Sequence, residues 1–81
     1  MLRMKHIFAI PCADEDRAKK FSEYLHNQEV DVDHIDGKAV YIPTSYPPFA
    51  LDIAQVAVDK DFGNDHEVCE SVNQFFVDLG L

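Results

Sequence analysis

Residues 5–12, KHIFAIPC, form an almost continuous apolar run. A run that is apolar at both parities predicts a strand covered on both faces, hence one central in a sheet, and Pro11 should end it. Over residues 14–27 the apolar period lengthens to that of a helix. Ala18, Phe21 and Leu25 share one face, with Tyr24 at its edge. Asp14, Glu15 and Asp16 crowd the first turn, where the helix dipole favours anions. Glu15–Lys19, Asp16–Lys20 and Lys19–Glu23 are spaced to pair on the solvent side.

Residues 29–43 alternate and read as a hairpin. A three-residue turn Ile35-Asp36-Gly37, with Gly37 left-handed, sets His34 opposite Lys38, Val32 opposite Val40 and Val30 opposite Ile42. Asp31 and Asp33 then share the other face with Ala39 and Tyr41. A two-residue Asp-Gly turn would pair Asp33 with Val40 and mix the faces, so the first register is preferred.

Residues 45–60 carry β-branched residues and alanines, and periodicity decides their state. On a helix, Asp52, Gln55 and Asp59 fall in one narrow sector, opposite Phe49, Ile53, Val56 and Ala57. As a strand, Leu51 and Ile53 would face away from Val56 and Val58. The segment is therefore helical, with Ser45 as its cap and Pro47-Pro48 in the first turn. Phe62-Gly63 breaks the chain. Asn64 then caps a third helix and Glu67 completes a capping-box-like pair. Val68, Val72, Phe75, Phe76 and Leu79 form its core stripe, and Gly80 ends it.

The order β-α-β-β-α-α predicts a small single-domain α+β fold, a three-stranded sheet with helices packed on it. The second helix has more apolar surface than one sheet contact needs. Leu51, Ala54 and Val58 lie apart from its main stripe. They are covered either by the third helix or by a second copy in a homodimer, and Val77 and Leu81 also lie off the main stripe.

Charge adds direction to this picture. The chain has 15 acidic and seven basic residues among 81, a formal net charge of -8. The excess lies in residues 39–81, where Lys60 is the sole base among seven acids. Such a field selects basic partners and disfavours anionic lipid and direct nucleic-acid binding. Two distant cysteines, Cys12 and Cys69, fit a reducing cytoplasm rather than a disulfide framework. The acids from Asp14 onward interrupt the N-terminal apolar run too early for a signal peptide, and residues 1–3 read as a short leader. No apolar stretch is long enough to span a membrane.

The chemistry-bearing residues are few. Cys12 sits between a strand and a helix, where a thiol pKa is often lowered. Yet C-A-D-E-D-R lacks glycine and sets three carboxylates where an anion would need donors. D-V-D-H-I-D-G fails the calcium spacing, since Ile35 stands at the fifth ligand position. His6, His26, His34 and His66 show no ligand spacing, and the three glycines form no phosphate loop. No metal or cofactor is expected.

These features favour a non-enzymatic interaction protein that regulates or inhibits a protein partner with a basic surface. In its sharpest form it is a nucleic-acid-mimicking decoy. Asp52, Asp59, Asp61, Asp65, Glu67 and Glu70 supply the charge, and Tyr46 and Phe49 the aromatic anchor. The alternatives are a small catalytic or ligand-binding domain around Cys12, Tyr41 and His34, and a structural homo-oligomer built on Leu51, Ala54 and Val58.

Overall fold

A computed structural model describes residues 6–78. The leader assigned to residues 1–3, the strand start at Lys5, and the roles given to Leu79, Gly80 and Leu81 lie outside the described residues. The elements run β1 (His6–Pro11), α1 (Glu15–Asn27), β2 (His34–Asp36), β3 (Ala39–Thr44), α2 (Pro47–Asp59) and α3 (Asp65–Asp78). This is the expected α+β order. The three strands form one antiparallel sheet in the order β1-β3-β2.

The central strand is thus β3, and β1 is an edge, contrary to expectation. Phe8, Ile10 and Cys12 of the β1 run point into the core together with Val40 and Ile42 of β3. The other parity, Ile7, Ala9 and Pro11, pairs with Pro43, Tyr41 and Ala39 on the outer face, where Ile7 is 50% exposed. The run is apolar on both parities, but the described residues cover only one of them. Pro43 fits in β3 because the β2 pairing stops at Tyr41, so no ladder bond to β2 is lost.

The hairpin register also differs from expectation. His34 pairs with Tyr41, Ile35 with Val40 and Asp36 with Ala39, around a two-residue Gly37-Lys38 turn. Gly37 is left-handed, φ +60°, as expected, but it occupies the first central position, where hairpin turns of the II′ type place glycine. The shift is odd, so it moves His34 from the core face to the outer face. There His34 stacks on Tyr41, ring centroids 4.3 Å apart, and pairs with Asp33. Ile35 takes its place opposite buried Val40.

A single core joins the inner sheet face to all three helices. From α1 it takes Ala18, Phe21 and Leu25, the stripe read from the sequence. From α2 it takes Ala50, Ile53, Ala54 and Ala57, and from α3 Val68, Val72 and Phe75, with Phe75 against Phe8 at 5.1 Å. Asp14 caps α1 by accepting a bond from Arg17 N–H at 2.8 Å, and Asn64 caps α3 by accepting from His66 and Glu67 N–H. The α2 cap is Tyr46 rather than Ser45. Its side chain makes no capping bond; the prolines at the first two positions leave no N–H unpaired there, and Phe49 N–H donates to the Tyr46 carbonyl at 3.0 Å. The Glu67 side chain does not complete a capping box. It reaches across to Lys38 Nζ at 2.9 Å and ties α3 to the β2–β3 turn.

Both α1 and α2 end in the same way, without glycine. At the end of α1, Val30 N–H donates to Leu25 C=O and Glu29 N–H to His26 C=O, with Glu29 left-handed at φ 59°. At the end of α2, Phe62 N–H donates to Ala57 C=O and Asp61 N–H to Val58 C=O, with Asp61 left-handed at φ 64°. This is the Schellman pattern, with an acidic residue where glycine is usual.

The second of these ends docks onto the first strand. Cys12 bridges Gly63, Ala13 N–H donates to Phe62 C=O at 2.8 Å, and Arg17 Nε donates to Asp61 C=O at 2.9 Å. Phe62 stacks near Phe21 and Tyr24, at 5.5 and 6.1 Å. Gly63 sits in a tight space: a Cβ there would lie 3.1 Å from Val68 Cγ2, 3.2 Å from Ala57 Cβ and 3.4 Å from Pro11 O.

Glu29→Gly is expected to raise stability by about 0.5–1 kcal/mol in urea unfolding, because glycine adopts the left-handed conformation without a Cβ clash. Glu29→Ala should give no such gain; equal effects of the two would show that Glu29 is unstrained. Gly63→Ala should cost about 1–2 kcal/mol, since Ala57 Cβ and the Pro11 carbonyl have little room to retreat. An unchanged urea midpoint would refute the tight packing there.

Candidate functional site

The α2–α3 pair carries the acidic surface. Both helices turn their apolar stripes to the sheet, so their polar sectors face outward together. Asp52 and Asp59 stand exposed on α2, on the same sector as Gln55, whose Nε2 donates to Asp59 Oδ1 at 2.8 Å. Asp65 is exposed at the start of α3, and Glu70 is exposed one turn beyond His66, whose Nε2 lies 3.0 Å from its Oε1. The remaining two carboxylates make surface ion pairs within the chain. Glu67 pairs with Lys38, and Asp61, although 96% exposed, lies 4.0 Å from Arg17 Nη2. Exposed pairs of this kind contribute little stability, so they leave the carboxylates accessible.

The two aromatic anchors separate. Tyr46 is 63% exposed just ahead of α2. Phe49, three residues on, is partly buried and packs against the core.

Between α2 and α3 runs an open groove of about 230 Å³. One wall is Leu51, Ala54 and Val58, the other Val68, Cys69 and Val72, with Gln55 and Asn73 also lining it. The third helix covers part of the surplus surface noted on the second. Ala54 is 5% exposed, Val58 is half-buried, but Leu51 remains 49% exposed. The sequence showed the α2 row; the α3 wall depends on how the loop 60–64 sets the two helices, which no local spacing reveals.

The residues of the catalytic alternative are not brought together. Cys12 is fully buried on the inner side of the sheet, whereas Tyr41 and His34 stack on its outer face. The Cys12 thiol is pushed up to about 11, first by burial and then by the nearby Asp14 charge. Asp14 itself is held below the usual carboxylate range, chiefly by the Arg17 N–H bond to its side chain. A wider depression of about 750 Å³ between α1 and the β2 region gathers Glu23, His26, Asp31 and His34, all exposed. Among the described residues no three His, Cys, Asp or Glu converge on a possible metal position. No described helix is long and apolar enough to cross a membrane.

The two cysteines should differ sharply in reactivity. Exposed Cys69 should alkylate in the folded protein at neutral pH, and Cys12 only on unfolding. Fast labelling of Cys12 in the native state, read by mass spectrometry, would overturn this. Cys12 also makes stability depend on alkaline pH. The unfolded thiol releases its proton near 9.0, the folded one near 11. The stability it contributes is complete below the lower value and is lost as pH rises through the window, on the order of 2 kcal/mol. Cys12→Ala should flatten the alkaline slope relative to the parent protein; an unchanged slope would remove Cys12 as its source.

No family model matches this chain, and no match is found among curated proteins or solved structures, so its function is to be read from this surface itself.

Proposed function

We propose that this protein is a non-enzymatic interaction protein. It binds a protein partner through the partner's basic surface and regulates or inhibits that partner by occupying it. The observation that carries this reading is the exposure of Asp52, Asp59, Asp65 and Glu70 on two adjacent helices, in a stretch with one lysine to seven acids. Charge so placed raises the rate of encounter with a cationic surface and repels anionic ones. Exposed Tyr46 supplies an aromatic contact beside this surface.

A mimic of nucleic acid needs little more than spaced negative charge. Here the carboxylates accompany an apolar groove, which favours a partner recognised by apolar contact as well as by charge.

The test is retention of partners from native extract at about 50 and 200 mM salt, with the Asp52→Asn/Asp59→Asn/Glu70→Gln variant as control. Basic proteins should be retained at low salt, fall by about tenfold or more at the higher salt, and be lost by the variant. Retention that is indifferent to both salt and the three substitutions would refute the reading.

A further inference from the structure

We infer that the α2–α3 groove receives the apolar face of a cationic amphipathic helix of the partner. This rests on the reading of a basic partner above and says what part of that partner is gripped.

The geometry argues for side-chain knobs. At about 230 Å³ the groove is below the roughly 300–1,000 Å³ of small-molecule clefts, and it is open along its length. Its α2 wall is the i, i+3, i+7 row Leu51, Ala54, Val58. Along α3 the facing wall is Val68, Cys69 and Val72, with Val68 and Val72 one turn apart. The α2 row spans two turns, about 10 Å, which is the reach of an i, i+3, i+4, i+7 set on a docking helix. Ala54 leaves the depth, because a methyl group does not fill the space between the two rows.

Backbone chemistry selects a helix as the occupant. Both walls are helices, whose N–H and C=O groups are already paired within each helix. An extended segment laid in the groove would find no partners for its own backbone groups. A helix arrives with them satisfied.

Charge selects a cationic helix and rejects a second copy. Two copies of this chain, each at -8, would bring Asp52, Asp59 and Glu70 of one onto those of the other. Like charges so opposed discriminate against self-association. Lysine or arginine flanking the apolar face of a docking helix would instead meet those same carboxylates.

Cys69 is a built-in reporter. It lines the groove and is exposed, whereas Cys12, the other cysteine of the chain, is buried. The probes are two helical peptides of roughly 18 residues and equal positive charge. One carries leucine at i, i+3, i+4, i+7 among lysines; in the other those leucines are alanines. Affinity is measured by calorimetry on the full 81-residue chain, and Cys69 alkylation is followed with and without peptide. The leucine peptide should bind about tenfold or more tightly than the alanine peptide and should slow Cys69 alkylation. Leu51→Gln, at an exposed position, should remove most of that difference without affecting the alanine peptide. Ala54→Leu, which fills the groove, should do the same. Equal binding of the two peptides with unprotected Cys69 would overturn the groove and leave the charge reading standing. Absence of binding by either at low salt would overturn both.

Discussion

The fold is closed where the loop between α2 and α3 meets the end of β1. Three contacts meet there: the Cys12–Gly63 bridge, the Ala13 to Phe62 backbone hydrogen bond and the Arg17 side-chain bond to the Asp61 carbonyl. Phe62 enters between Phe21 and Tyr24, and Lys60 sits 5.9 Å over the Tyr24 ring. Ala57, Val68 and Pro11 approach Gly63 so closely that a Cβ there would force its neighbours to give by a few tenths of an ångström. That approach sets the height at which α3 leaves the loop. It therefore sets how far α3 stands from α2, and with it the groove. A chain of this size buries a modest core, so one such junction holds much of its geometry.

Local signals carried the helices well. Ala18, Phe21 and Leu25, and later Val68, Val72 and Phe75, recur at helical spacing and are buried as that spacing requires. Asp14 and Asn64 mark helix starts by chemistry that is local to a few residues. The sheet was less legible. A register depends on which residue turns, and Gly37 serves a two-residue turn as readily as a three-residue one. What decides is the exit from α1. Glu29 adopts a left-handed conformation that glycine would announce and glutamate does not, and it directs Val30 back over Leu25. Residues 30–33 then run outside the strand, β2 shrinks to three residues, and His34 emerges on the outer face. The edge position of β1 was hidden for a related reason. Its outer residues are apolar too, and apolarity cannot distinguish a covered face from a bare one.

The outward carboxylates were legible as a sector on α2, because Asp52, Gln55 and Asp59 recur at helical spacing. The pairing of Glu67 with Lys38 was not, since it joins residues 29 apart in sequence through the sheet register itself. The catalytic alternative fails to assemble for the same reason: an odd shift in register carried His34 away from the Cys12 side of the sheet.

The three helices treat charge differently, and the contrast bears on function. In α1 the acids Glu15 and Asp16 stand in the first turn and His26 in the last, as the helix dipole favours. In α2 the order is inverted. Its first turn has no acid, its last turn has no base, and Asp59 occupies that last turn with Asp61 just beyond it. Each such placement costs about 0.3–1 kcal/mol at low salt, and mutual repulsion of the nearby carboxylates adds to it. Folding gains little from carboxylates there, since Gln55 and Arg17 engage them only at the exposed surface, whereas Lys or Arg at the end of α2 would complement the dipole. Natural chains keep locally unfavourable choices that stay above the stability threshold, so this placement is permitted by the fold rather than required by it. Under the function proposed above, a cationic partner would relieve that cost: its lysines or arginines would neutralise the end of α2 and the neighbouring face of α3 together. In that proposal the electrostatic strain of the free protein would become part of the attraction that holds the complex.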